Sequence, residues 1–418
     1  MKYILHAPQK LNYTVKLPAS KSISNRALII HVLEGMHMRP DNLSDCDDTK
    51  VIIRALQDNP YEIDIMASGT AMRFMTAYLA ATDSGEHIIT GTDRMKHRPI
   101  GVLVDALRRL GAEIDYMGET GYPPLRIRGR QLEGGAIEVP GDISSQFISA
   151  LIIAGPATTN GIQLHLTDGV ISRPYIDLTL CTMRDFGADV DWTGPNTIEV
   201  KPKPYQPKKY IIENDWSAAS YWYEALAFNQ HSDSQILLQG LMDGSRQGDS
   251  VARYLFSLLG VKTTFETTEL GVPTTVRIKR TPMRVPRLEY SFINQPDLAQ
   301  TFVVTCAMLN IPFHFKGLST LRIKETDRIE ALIKEMRKLG FIILSNADND
   351  LIWSGDRCEP QKLPVIDTYD DHRMAMAFAP ACVFYPGLII NNPLVVTKSY
   401  PLFWDHLRQA GYNIEETP

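Results

Sequence analysis

Five stretches of the chain repeat one pattern of apolar and polar positions. Each reads as an amphipathic helix that ends at a glycine and passes directly into an apolar-alternating run. The helix ends are Leu107-Arg108-Arg109-Leu110, Met183-Arg184-Asp185-Phe186, Phe256-Ser257-Leu258-Leu259, Met336-Arg337-Lys338-Leu339 and Leu407-Arg408-Gln409-Ala410. Gly111, Gly187, Gly260, Gly340 and Gly411 follow them, at intervals of 76, 73, 80 and 71 residues. A glycine just past the last helical turn suits the left-handed conformation that releases a helix into a strand. Regular spacing on this scale marks repeated supersecondary units. The run 51–56, Val-Ile-Ile-Arg-Ala-Leu, reads as a degenerate first copy lacking its glycine. The pattern predicts an α/β protein of about six related units, three to a domain.

A length of 418 residues exceeds what one ordinary core serves, so two domains are expected. Hydrophobic residues at 44% and charged residues at 22% belong to a soluble globular chain. The net charge of −5 argues against a nucleic-acid binder, so any bound anion must be held by local clusters. The first ten residues lack the apolar core and cleavage site of a secretory signal, and no stretch approaches the roughly 20 apolar residues that span a bilayer. Cys46, Cys181, Cys306, Cys358 and Cys382 are scattered and odd in number, without a Cys-x-x-Cys pair, and the histidines lack ligand spacing. That argues against a metal site and for reduced thiols in the cytoplasm.

A cation stands 12 to 14 residues before each glycine: Arg98, Arg173, Arg246, Arg328 and Lys398. At about 1.5 Å per residue this lies near the start of the same helix. Helix starts expose free N–H groups and partial positive charge, where ordinary sequences put acids. Repeated cations there suggest several helix starts serving a shared anion, against the alternative of solvated surface arginines.

Local motifs sharpen this. Lys21-Ser22-Ile23-Ser24-Asn25-Arg26 follows a strand-like run and opens an apolar helix with Ser20 as its cap; the glycines of a P-loop are missing. Ser68-Gly69-Thr70 feeds a helix, where Gly69 permits either tight packing or close backbone approach to a ligand. Arg94-Met95-Lys96-His97-Arg98-Pro99 gathers three cations before a helix start. Ser144-Ser145-Gln146 opens a buried helix with hydroxyl and amide donors or with a plain serine cap, and Ser172-Arg173-Pro174 opens the next. Asp297 is a helix cap or a general base. Lys324 and Arg328 would lie one turn apart on a helix face, a repulsion that a bound anion would turn to gain. Asp371-His372-Arg373 is an acid-led helix start, and Lys398 precedes the last helix.

Taken together, Lys21-Ser-x-Ser-Asn-Arg26, Arg94-Met-Lys-x-Arg98-Pro, Ser144-Ser-Gln, Lys324-Glu-Thr-Asp-Arg328 and Asp371-His-Arg373-Met-Ala-Met resemble the 5-enolpyruvylshikimate-3-phosphate synthase family of enolpyruvyl transferases, over residues 20–401. The resemblance implies two similar domains of three βαβαββ-type repeats around a pseudo-threefold, joined by two crossovers. The inserted domain would run 20–213, the second would combine 1–19 with 214–418, and the active site would lie in the cleft between them. It implies transfer of the enolpyruvyl group of phosphoenolpyruvate to shikimate 3-phosphate, in aromatic amino-acid biosynthesis. Lys21, Gly69, Arg98, Gln146, Arg328, Arg373 and Lys398 would bind phosphoenolpyruvate. Lys21, Ser22, Arg26, Ser144, Ser145, Gln146, Ser172, Asp297 and Lys324 would bind shikimate 3-phosphate. Asp297, Glu325 and Lys21 would be catalytic, Asp297 taking the hydroxyl proton and Glu325 protonating the methylene. A cytoplasmic monomer with no cofactor, metal, nucleic-acid or membrane partner is expected. Ala67, Phe74 and Thr320 depart from the family's usual Asn, Pro and Asn. The alternatives are the sister transferase acting on UDP-N-acetylglucosamine, whose loop cysteine is missing around residues 94–98, and an inactive anion-binding homologue.

Overall fold

Each of the five glycine-ended repeats corresponds to a four-stranded sheet, and the five sheets share one connectivity. The computed structural model describes residues 1–82, 85–267 and 269–418. They divide into two units, Met1–Pro18 with Glu213–Pro418, and Ala19–Ile212. In the second unit, strand Glu62–Asp64 pairs in parallel with Glu86–Thr90, which pairs antiparallel with Leu125–Arg128, itself antiparallel to Glu113–Tyr116. Gly135–Pro140, Ile162–Thr167, Thr197–Val200 and Val190–Trp192 repeat that order. The parallel pair needs a crossover, supplied by helices Gly69–Ala81 and Ser145–Ala154.

The other unit holds three such sheets. Leu288–Ser291, Phe313–Lys316, Leu351–Trp353 and Leu344–Ser345 form one from contiguous chain. The remaining two borrow the N-terminus. Asn12–Lys16 is the first strand of a sheet with Gln235–Met242, Asn12 opposite Gln235. Lys2–His6 fills the last place between Leu388–Asn391 and Asn413–Thr417. Two N-terminal strands thus complete sheets begun more than 200 residues away.

The five repeat glycines all adopt positive φ, from 82° to 104°, as a left-handed helix end requires. The degenerate first copy ends its helix Asp47–Asp58 at Asn59, left-handed at φ 41°; asparagine tolerates the region that glycine prefers. Asn59 precedes Gly111 by only 52 residues. The shortfall is the antiparallel hairpin: among the described residues this copy keeps its two helices and an isolated bridge, Asp41 to Ile211, in place of a sheet.

Helices come in two kinds. Gly101–Arg109 and Arg328–Lys338 bury one apolar face and end in basic residues. Ala299–Met308 and His372–Phe378 are buried on every side, and Trp216–Phe228 and Ser145–Ala154 at all but one position each. All-round burial identifies core helices. Trp216–Phe228, Ala299–Met308 and His372–Phe378 pack on one another inside the first unit's core, while Lys21–Leu33, Gly69–Ala81 and Ser145–Ala154 do so in the second. Each unit therefore centres on three core helices, and the motif residues stand at the starts of these helices or of the amphipathic helices that flank them.

Candidate active site

In the Ala19–Ile212 unit all three core helices are capped by serine. Ser20, Ser68 and Ser144 accept from the backbone N–H groups of Ile23, Ala71 and Gln146. A neutral cap satisfies an orphan donor without cancelling the positive end of the helix dipole, which stays available to an anion. The helix starts are tied together. Gln146 Nε2 donates to Thr70 Oγ1 at 3.0 Å. Arg26 is buried and donates to Thr179 Oγ1 at 2.6 Å, Ser149 Oγ at 3.2 Å and the carbonyls of Ser22 and Tyr175 at 2.8 and 3.2 Å. Burial lowers its pKa to about 10, which leaves it charged at neutral pH. Lys21 Nζ pairs with Asp48 at 3.0 Å.

Gly69 and Arg98 are in contact. A Cβ at Gly69 would lie 2.7 Å from Arg98 Nη1 and 2.9 Å from Nη2. Arg73 fixes this approach: its Nη1 donates to the Gly69 carbonyl at 3.1 Å and its Nη2 to the Pro99 carbonyl at 3.2 Å, with the guanidinium over the Phe147 ring. The loop bearing Arg98 is thereby fastened to the first turn of the helix that Gly69 opens.

The other unit caps two of its three core helices with acid. Asp215 accepts from Ala218 N–H and Asp371 from Arg373 N–H, each at 2.9 Å, and Asp297 leads into Ala299–Met308 from a short 3-10 turn. Arg328 is the hub. Its Nε and Nη2 meet Asp371 at 2.6 and 3.3 Å, Nη1 meets Asp297 at 3.0 Å, and Nη2 meets Glu325 at 2.8 Å. Asp297 also pairs with Arg373 at 2.9 Å and Lys324 at 3.6 Å, and Glu325 with Lys398 at 2.8 Å. Burial pushes the Asp297 carboxyl up, but Arg373, Lys324 and Arg328 outweigh it and hold the group well below the usual carboxylate range. Arg373 Nη1 reaches Tyr221 Oη at 3.3 Å. Asp249, bonded by the Ser217 hydroxyl, is pushed up to about 6 by burial and by the charge of Asp297.

Asp297, Lys324, Glu325, Arg328, Arg373 and Lys398 are thus brought into one network. Within the Ala19–Ile212 unit, Gly69 and Arg98 are in contact, and Ser144 and Gln146 sit at a core-helix start. Ser172 is left-handed at φ 52° before helix Arg173–Asp185, with no side-chain cap bond. Two expectations need correction. Lys324 and Arg328 do not share a helix face: Lys324 is extended after a 3-10 turn and the helix begins at Arg328, because Asp327 caps it there. They converge through Asp297 instead. Asp297 itself caps no helix. Arg173 stacks on Trp192, its guanidinium carbon 4.0 Å from the ring, and donates to the Pro195 carbonyl, a packing role its position in the repeat did not reveal. Arg73 received no role from sequence, and Asp371 was read only as the acid that leads a helix start, not as a partner of Arg328. A signal for them existed, since Arg73 lies in the second turn of a helix capped by Ser68 and Asp371 is itself a cap.

Fold and site define an α/β protein of repeated four-stranded sheets whose helices present cations and carboxylates near their starts, a construction for binding small anions. The chain belongs to the EPSP synthase (3-phosphoshikimate 1-carboxyvinyltransferase) family, whose profile matches residues 53–407. It is 55% identical over 415 residues to a 3-phosphoshikimate 1-carboxyvinyltransferase of Bacteroides fragilis, covering 99% of each chain. A 3-phosphoshikimate 1-carboxyvinyltransferase of Sulfurovum sp. is 33% identical, with 95% of this chain and 96% of that one covered. The crystal structure of EPSP synthase from Acinetobacter baumannii shares the fold, with a TM-score of 0.76 at 20% identity, covering 99% of this chain and all of that one.

Proposed function

We propose that this chain transfers the enolpyruvyl group of phosphoenolpyruvate to the 5-hydroxyl of shikimate 3-phosphate and releases phosphate. The observation that carries the chemistry is Asp297 and Glu325 flanking Arg328, each carboxylate also held by a second cation. Acids set among cations suit a reaction that moves protons between bound anions; simple anion capture would be weakened by them. Asp297 takes the proton of the 5-hydroxyl as that oxygen bonds to C2 of phosphoenolpyruvate, and Glu325 gives a proton to C3. The tetrahedral adduct then loses phosphate by cleavage of the C2–O bond, and a methyl proton leaves to restore the double bond.

Substrate anions would engage Arg328, Arg373 and Lys398. With those cations drawn off, Asp297 loses the partners that depress its pKa and becomes a competent base. The serine-capped helix starts, with Lys21, Ser22, Arg26, Ser144, Ser145, Gln146 and Ser172, hold shikimate 3-phosphate, and Lys21, Gly69 and Arg98 serve phosphoenolpyruvate.

Phosphate release with the two substrates tests the reading. Turnover is expected with shikimate 3-phosphate and none with UDP-N-acetylglucosamine as acceptor; the reverse would replace it. A second expectation isolates Gly69. Gly69→Ala adds a methyl against the mobile end of Arg98, which moves aside without disturbing the core. The thermal midpoint should stay put while KM for phosphoenolpyruvate rises about tenfold, a loss of about 1.4 kcal/mol. An unchanged KM would detach Arg98 from that substrate.

A further inference from the structure

Resting on the function proposed above, we infer that Tyr369 is a positioning residue, its hydroxyl bond to Glu335 holding a strained turn that sets Asp371 against Arg328. Residues 368–371 form a turn closed by the Asp371 N–H on the Thr368 carbonyl at 2.9 Å. Both central residues are left-handed, Tyr369 at φ 53° and Asp370 at φ 55°. Positive φ at both centres is the type I′ pattern, which favours glycine, asparagine and aspartate. Asp370 suits it, and its carboxylate accepts from Asn392 Nδ2 at 2.8 Å. Tyrosine does not, because a bulky side chain is a steric outlier there.

Its hydroxyl supplies the reason for it. Tyr369 Oη donates to Glu335 Oε1 at 2.6 Å, and Glu335 is fully buried, pairs with Lys338 at 2.7 Å and accepts the Asp367 N–H at 3.1 Å. Glu335 lies on helix Arg328–Lys338, seven residues after Arg328 and on the same face. Tyr369 to Glu335 and Asp371 to Arg328 are therefore two ties, two turns apart, between one helix and one turn. The first holds the turn in its strained form. The second orients the guanidinium that meets Asp297 and Glu325, while Asp371 also caps the helix bearing Arg373.

Tyr369→Asn separates positioning from folding, since asparagine fits left-handed backbone but cannot reach Glu335; Tyr369→Phe removes the hydroxyl alone. Tyr369→Phe, which keeps the strain and loses the tie, is expected to lose at least about tenfold in kcat/KM for phosphoenolpyruvate, with KM for shikimate 3-phosphate within about twofold of wild type; Tyr369→Asn, which takes up the turn without strain, should lose markedly less. Tyr369→Asn should melt no lower than Tyr369→Phe. A folded Tyr369→Phe with wild-type kcat/KM or with KM values for both substrates rising together, or a Tyr369→Asn as impaired as Tyr369→Phe, would overturn the inference. So would a crystal structure of Tyr369→Phe with both Asp371–Arg328 contacts intact, an outcome independent of the functional reading. Absence of phosphate release by the wild type would instead sink that reading.

Discussion

Asp297→Ala is expected to lower kcat at least about 100-fold, the scale of a lost general base, without raising KM for phosphoenolpyruvate. The split follows from what the carboxylate does before substrate arrives. It neutralises Arg328, Arg373 and Lys324 at 3.0, 2.9 and 3.6 Å, occupying the cations that an incoming anion needs. Alanine frees them, so ground-state binding holds or tightens while proton removal fails. Steady-state kinetics with both substrates, together with calorimetric binding of shikimate 3-phosphate, check this. Wild-type turnover would remove Asp297 from the mechanism. A steep rise in KM would show that its carboxylate orders the cations and does not compete with substrate for them.

Arg328→Met has the largest expected effect on stability. The guanidinium is 1% exposed and meets three carboxylates, Asp371, Asp297 and Glu325. Removing one partner of a buried pair costs about 3–5 kcal/mol, because the other charge stays behind uncompensated. For a unit of this size that is a drop of roughly 10 °C in thermal midpoint. The pH dependence has a definite sign. In the wild type the depressed Asp297 carboxyl contributes stability that is complete above its ordinary value of 3.8 and is lost as pH falls below it. In the variant that contribution shrinks, and the abandoned carboxylates favour protonation. The gap between variant and wild type should be widest near neutral pH and narrow on acidification. Thermal melts from about pH 2.5 to about pH 7 measure it, since the Asp297 contribution is lost only below its ordinary value, and a gap that widens in acid would mean the carboxylates find other partners.

Several features were legible in the chain alone because they depend on local covalent properties. Left-handed glycines end helices whatever lies around them, so Gly111 through Gly411 marked the repeat before any contact was known. Serine and aspartate caps act over three residues, and Ser20, Ser144 and Asp371 were readable for the same reason. Cation position relative to each glycine follows from helix rise, which put Arg98, Arg328 and Lys398 near helix starts.

Tertiary structure decided the rest, since charge networks form between groups distant in sequence. Asp297 meets Arg373 across 76 positions, and Lys398 meets Glu325 across 73. No local rule distinguishes Arg328, wrapped by three acids, from Arg173, stacked on Trp192. The Lys324–Arg328 spacing misled because a periodic pattern assumes a continuous helix, and the Asp327 cap breaks it. Likewise the exchange of serine for aspartate caps between the two units is written in the sequence. Its meaning, neutral helix ends in one unit and acid among cations in the other, exists only once the core helices pack and bring their first turns together.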